Sequence, residues 1–214
     1  MSTLNSTRVA NEIEEAILSG QLKPKEHLIE MNLLSEFGVS RAVIRDAFKK
    51  LEAKGLIRSI PYRGVAVADL TIEEIEEIYF LRIELEKIAA RLLLKRVTPK
   101  EIRNFKILCD EARRHLRART HQMILVDSQF HRAIIKTSGN NHLTEMIEYL
   151  YKKAHIVRFN AWSVPNRIEQ SIAEHREIIK AIEKQNLSRL QKLIVKHLRV
   201  SKNSYISQLK RLAR

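Results

Sequence analysis

Asp127 and His131 are four residues apart, a spacing that sets both side chains on one face of an α-helix. That face also carries Ile124, Ile134 and Ile135. An aspartate on a core-facing stripe is costly unless it is paired or bound to a metal. His175 shares a stripe with Ile168, Ile172, Ile179 and Ile182, and His197 shares one with Leu190, Ile194 and Ser201. A break is expected at Gln185-Asn186-Leu187; His175 lies 11 residues before Asn186 and His197 lies 11 after it. In an antiparallel helix pair, equal distances from the turn give equal heights, about 16 Å from it at 1.5 Å per residue. If the Asp127/His131 helix packs against that hairpin, one carboxylate and three imidazoles converge. Such a set suits Zn²⁺ first, with Ni²⁺ or Mn²⁺ as alternatives, better than Ca²⁺ or Mg²⁺. Each histidine taken singly also reads as a hydrogen-bonded core residue. His27, His115, His121, His142 and His155 show no comparable arrangement and read as surface or packing residues.

A second constellation lies near the N-terminus. Arg41 and Arg45, also four apart, face outward on a segment whose Val43, Ile44, Ala47, Phe48 and Leu51 form the buried side. Arginine suits bidentate contact with guanine or phosphate. The elements that must position these residues follow from turn and cap signals. A helix through Arg8–Ser19 stops at Gly20, and Gln21–Leu28, which contains Pro24, reads as a loop or short extended piece. A short helix Glu30–Phe37 stops at Gly38, and Ser40 caps a longer helix Arg41–Lys54. Leu56–Ile60 and Val65–Ala68, joined by Pro61-Tyr62-Arg63-Gly64, read as a β-hairpin. Helix, short helix, tight turn, longer helix and hairpin wing is the order of a winged helix-turn-helix, in which the second helix enters a major groove.

Beyond residue 69 the pattern is helical throughout, with helices expected at about 71–96, 98–118, 120–138, 141–160, 167–185 and 187–211. Thr71-Ile72-Glu73-Glu74 and Thr98-Pro99-Lys100-Glu101 read as capping boxes. The expected fold is therefore mainly α: a winged helix-turn-helix over residues 1–69 and an antiparallel all-α bundle over 70–214. Composition agrees, with 44% hydrophobic residues, only 6% aromatics, 5 Gly and 4 Pro in 214 residues, which favours aliphatic, helical cores. The single cysteine, Cys109, cannot form an internal disulfide, and no apolar run is long enough for a membrane span. These features point to a cytoplasmic protein with no membrane partner. The net charge is +14, but residues 1–69 carry 10 basic and 9 acidic side chains. The excess belongs to the C-terminal part and reads as a solvated surface, so net charge does not locate a nucleic-acid site.

In combination, Ile17-Leu18-Ser19-Gly20-Gln21-Leu22-Lys23-Pro24, Leu33-Leu34-Ser35-Glu36-Phe37-Gly38-Val39-Ser40-Arg41, Ile44-Arg45-Asp46-Ala47-Phe48-Lys49-Lys50-Leu51-Glu52 and Arg63-Gly64-Val65-Ala66-Val67 resemble the DNA-binding domain of GntR-type transcription regulators. The resemblance implies a dimer on double-stranded operator DNA, with Ser40, Arg41 and Arg45 at the major groove and Arg63-Gly64 at the minor groove. The chain departs from the family pattern at Lys25, at Ala42-Val43 and at Asp46, where Gly, Thr-Pro and Glu are usual; Ala42 has no hydroxyl to offer a base. Asp127-Ser128-Gln129-Phe130-His131, Ser138-Gly139-Asn140-Asn141, Glu174-His175-Arg176 and His197 resemble the FCD effector domain of the FadR branch, in its shorter, VanR-like six-helix form. That likeness implies one divalent ion on Asp127, His131, His175 and His197, and a small carboxylic-acid effector at the ion's open positions. Tyr79–Glu86 resembles the first effector-domain helix. On it, Arg82 either pairs with such a carboxylate or forms a surface salt bridge with Glu86.

The expected function is a homodimeric, ligand-responsive repressor, not an enzyme. Two alternatives stand beside it: a metal-dependent hydrolase, which lacks a His-Glu-x-x-His helix, and a regulator whose metal only braces the bundle. The link between wing and bundle, Asp69-Leu70, has no Gly or Pro and suits the transmission of a rotation.

Overall fold

The computed structural model describes residues 2–19, 21–115, 121–154 and 166–212. The chain divides into two compact units: the first is formed by the residues up to Thr71 with a short piece beginning at Lys152, the second by Ile72–Tyr151 and the C-terminal remainder. In the first, α1 (Ser2–Ser19) is followed by β1 (His27–Leu28), α2 (Glu30–Phe37), α3 (Arg41–Ala53), β2 (Ile57–Ile60) and β3 (Gly64–Val67). Val9, Ile13 and Ile17 of α1 are buried, as are Ile44, Ala47 and Leu51 of α3, against which α1 packs. Gly38 ends α2 in the left-handed conformation at φ 60°, with its N–H bonded to the Leu34 carbonyl; a residue without Cβ takes that turn without strain.

Three local features differ from the sequence reading. The first helix starts at Ser2 rather than Arg8. Its early turns are held by polar bonds, which apolar periodicity cannot register: Lys50 Nζ donates to Ser6 Oγ at 2.7 Å and to Thr7 Oγ1 at 2.9 Å, and Ser6 Oγ donates to Asp46. The wing is a three-stranded antiparallel sheet in the order β1-β3-β2, not a two-stranded hairpin. β1 spans two residues, too few to show alternation, and is recruited by pairing His27 with Ala66 and Leu28 with Val65. Ser40 occupies the N-cap position of α3, but its side chain makes no capping bond.

The second unit contains α4 (Ile72–Leu94), α5 (Pro99–His115), α6 (His121–Lys136), α7 (Asn141–Lys153), α8 (Arg167–Glu183) and α9 (Leu187–Leu212). The breaks expected at Arg119-Thr120 and Pro165, and the last residues of the helix expected to 160, lie outside the described residues. α9 packs along α4 and α8, α5 along α6 and α8, and α4 against α6. The contacts expected at the start of α5 form: Glu101 Oε2 accepts the Thr98 hydroxyl and, at 2.6 Å, the Thr98 N–H, and these bonds hold its carboxyl below the usual carboxylate range. The α8–α9 turn has Gln185 at φ 51°, and the Asn186 N–H reaches back to the Ala181 carbonyl. Ala89, Ile135, Leu143, Ile147 and Tyr151 form one apolar cluster. Among the described residues, no helix is long and apolar enough to cross a membrane.

Candidate metal centre and DNA-reading face

The α8–α9 hairpin brings His175 and His197 level with each other, their ring centroids 4.9 Å apart. His131 of α6 joins them at 4.9 Å from His175 and 5.1 Å from His197. Each of the three buried imidazoles offers a nitrogen within 4.8 Å of the others. The buried Asp127 carboxylate lies 3.8 Å from His131 Nε2 and 3.7 Å from His175 Nε2. The three histidines singled out from spacing are thus brought together, with Asp127 beside two of them. Phe130 stacks on His175 at 4.2 Å and meets His131 edge-on. Burial, followed by the nearby His197, pushes the His175 pKa down to about 3, so its ring is neutral at physiological pH. Neutral imidazoles are the protonation state a metal requires. His175 Nδ1 is buried without a hydrogen-bond partner, while its Nε2 faces Asp127. The donor set is nitrogen-rich with one carboxylate, which fits a divalent transition ion.

Of the remaining histidines, His27 and His142 are exposed. His155 and the side chains of His115 and His121 lie outside the described residues, as does the side chain of Ile124.

Arg82 is 1% exposed and pairs with Glu86, Nη2 to Oε1, at 3.1 Å. The pair is buried, not the surface bridge that was one expectation. The guanidinium lies over Tyr79 and Tyr151, 4.7 and 4.2 Å from their ring centroids. Burial opposes its charge, but Glu86, Tyr151 and Tyr79 outweigh that and hold it protonated. Its Nε and Nη1 have no hydrogen-bond partner among the described residues. Arg82, Asp127, His131, Ser171, His197 and Ser201 line a cavity of about 10 Å³, roughly the room of one water.

Sequence reasoning missed the residues behind this cluster. Arg167, 1% exposed, donates through Nη2 to Glu174 Oε2 at 2.9 Å and to Ser201 Oγ at 3.1 Å. Glu174 Oε2 also lies 2.7 Å from His197 Nδ1. Burial would raise the Glu174 pKa, but His197 and then Arg167 outweigh it and leave the carboxyl below its usual range. The available signal was the spacing: Arg167, Ser171 and His175 recur every four residues on one stripe of α8.

In the N-terminal unit, Arg41 and Arg45 are exposed on α3. Arg45 Nε sits 3.3 Å from Glu30 Oε1, and Arg41 Nη2 lies 3.5 Å from Met31 Sδ. A groove of about 520 Å³ runs between α3 and the wing, with Arg45 and Lys49 on one side and Ser59, Arg63 and Gly64 on the other. At the wing tip, Tyr62 is fully exposed at φ 61° and Gly64 takes φ 81°. Tyr62 also escaped the sequence reading, although it sits beside Arg63.

Comparison with known proteins accounts for both units. Residues 5–67 match the family model for bacterial regulatory proteins of the gntR family, and residues 77–200 match the FCD domain. The chain is 29% identical over 189 residues to the HTH-type transcriptional regulator YdhC of Bacillus subtilis, covering 87% of this chain and 84% of YdhC. It is 28% identical over 145 residues to the HTH-type transcriptional regulator McbR of Escherichia coli, covering 67% and 66% of the two chains. Over 79 residues it is 42% identical to the gluconate operon transcriptional repressor of Bacillus licheniformis, covering 37% and 32%. The solved structure of E. coli McbR/YncC superposes with a TM-score of 0.73 at 21% identity, covering 96% of this chain and 98% of that one. Lar of Listeria monocytogenes superposes at 0.65 with 17% identity, covering 94% and 96%. Family and relatives are transcription regulators, which sets the hydrolase alternative aside. A helix-turn-helix unit followed by a helical unit with three clustered imidazoles is the arrangement these matches span, and the chain belongs to the GntR-type bacterial transcription regulators that carry an FCD domain.

Proposed function

We propose that the protein is a cytoplasmic, homodimeric repressor whose grip on operator DNA responds to a small carboxylic acid bound beside a divalent ion, zinc first. Residues 1–69 read DNA: Arg41 and Arg45 contact base edges or phosphate, and Arg63-Gly64 enters the minor groove. The uncommitted Ser40 hydroxyl, at the N-terminus of α3, supports a phosphate contact there. Residues 70–214 sense the ligand and dimerise. Asp127, His131, His175 and His197 would hold the ion, which supplies Lewis-acid positions for a carboxylate. Arg82 would bind that carboxylate through its unpartnered edge. On the outer face of α4, Phe80, Leu81 and Ile88 are exposed, which suits a partner subunit. The observation that carries the reading is the cluster of three buried imidazoles with Asp127 beside it, next to a buried, incompletely partnered arginine.

A second reading keeps the ion as a brace and places an anionic effector elsewhere. The cavity beside the imidazoles holds only about 10 Å³, whereas a groove of about 840 Å³ on α9 is lined by Lys87, Lys192, Lys196 and Arg199. The test is to load the protein with Co²⁺ and titrate it with a panel of small mono- and dicarboxylic acids, following the metal's visible spectrum and operator binding together. Acids that shift both support the first reading. Acids that shift operator affinity without touching the spectrum support the second. No uptake of Co²⁺ or Zn²⁺ overturns both.

A further inference from the structure

A metal-ligating histidine uses one ring nitrogen, and the hydrogen bond made by the other fixes its tautomer and orientation. The three imidazoles of the cluster differ in this respect. His131 Nε2 and His175 Nε2 both turn toward Asp127. His197 turns Nδ1 the other way, to Glu174 Oε2 at 2.7 Å. The same carboxylate oxygen accepts Arg167 Nη2 at 2.9 Å, and Arg167 donates onward to Ser201 Oγ at 3.1 Å. Ser201 lies one turn beyond His197 on α9, while Arg167 and Glu174 both belong to α8. The four side chains therefore form a chain of polar contacts between the two helices, running from His197 through Glu174 and Arg167 to Ser201. Arg167 is fully buried and Glu174 is partly buried. A buried guanidinium and a buried imidazole sharing one partly buried carboxylate is a costly arrangement to build for packing alone, since an apolar replacement of a buried ion pair is often neutral or stabilising.

We propose that Glu174 is the positioning residue of the metal centre: it accepts the Nδ1 proton of His197, so that Nε2 is bare and presented to the ion, and Arg167 holds Glu174 in place. The carboxylate's negative charge also raises the basicity of His197 as a ligand. His175, whose Nδ1 has no partner, receives no such support. This inference rests on the metal reading above.

The test measures Zn²⁺ and Co²⁺ affinity of the full chain by competition with a chromophoric chelator, together with ¹⁵N spectra of the histidine rings in the metal-free protein. Glu174→Gln keeps the shape and an acceptor but removes the charge; Glu174→Leu removes the acceptor. Loss of a partner behind a metal ligand typically costs about 10–100-fold in affinity, expected for Glu174→Leu, with a smaller loss for Glu174→Gln. The wild-type His197 ring should show its proton on Nδ1, and Glu174→Leu should lose that preference. Glu177→Gln, three residues along α8 on an exposed site paired with Lys180 and Arg189, should leave metal affinity unchanged. A merely structural Glu174 would lower thermal stability without moving affinity or tautomer. Wild-type affinity in both Glu174 variants overturns the inference alone. If Glu174→Leu does not fold, Glu174→Gln carries the test. A wild-type chain that takes up neither ion overturns the metal reading and this inference with it.

Discussion

The two units treat arginine in opposite ways. On α3, Arg41 and Arg45 are exposed, and Arg45 has only the surface carboxylate of Glu30 beside it. Such a pair contributes about 0–1 kcal/mol and is screened by salt, so the guanidinium is available to exchange one anion for another. In the bundle, Arg82 and Arg167 are each 1% exposed and committed to Glu86 and Glu174. A buried charge cannot be left alone, so these pairs are rigid where the surface pair is loose. The difference teaches where each unit keeps its adaptability: the N-terminal unit in exposed, loosely paired side chains, the bundle in unfilled hydrogen-bonding edges.

The largest effect should come from the imidazoles. His175→Ala and His197→Ala are each expected to abolish stoichiometric metal uptake with little loss of helicity, because the surrounding bundle stays apolar; mass spectrometry of the metal content checks this. Full metal content in both variants would break the contrast between a chemically committed core and an uncommitted surface.

The next effect is on pH. His175 stays neutral in the folded chain down to about pH 3, whereas an unfolded histidine titrates near 6.5. Between those values the unfolded chain binds the extra proton, so metal-free stability should fall as the pH drops from about 6.5 toward 3, at about 1.4 kcal/mol per unit, and be flat above that window. Urea midpoints across pH 3–8 measure it. A profile unaltered by His175→Ala would show that another group governs the acid limb.

Arg82→Ala leaves Glu86 buried and unpaired, and should destabilise by about 3–5 kcal/mol, read as a shift in the urea midpoint. A loss below about 1 kcal/mol would place Arg82 with the loose surface arginines. Smallest is Arg45→Ala. It should cost about 1–3 kcal/mol of specific operator binding while changing stability by less than about 0.5 kcal/mol. Unchanged affinity in a titration on the cognate operator would remove Arg45 from the reading surface.

What the sequence determined by itself is largely what local chemistry enforces. Gly38, Thr98-Glu101 and Gln185-Asn186 stop and start helices through backbone groups within a few residues, so the helix-turn-helix and the bundle order were legible. The convergence of His175 and His197 was legible too, because two straight helices joined by a short turn make height a matter of counting. Tertiary structure alone decided the rest. β1 exists only because β3 pairs with it, and α1 extends to Ser2 where Lys50 and Asp46 reach its serine and threonine. Whether Arg82–Glu86 faced water or the core depended on which side of α4 its neighbours covered. The Arg167–Glu174–His197 contacts join residues up to 23 positions apart in sequence, and their stability arises from a low-dielectric interior that no spacing rule reports. Local periodicity names the face a side chain occupies; only the packed helices decide which buried polar atoms meet there.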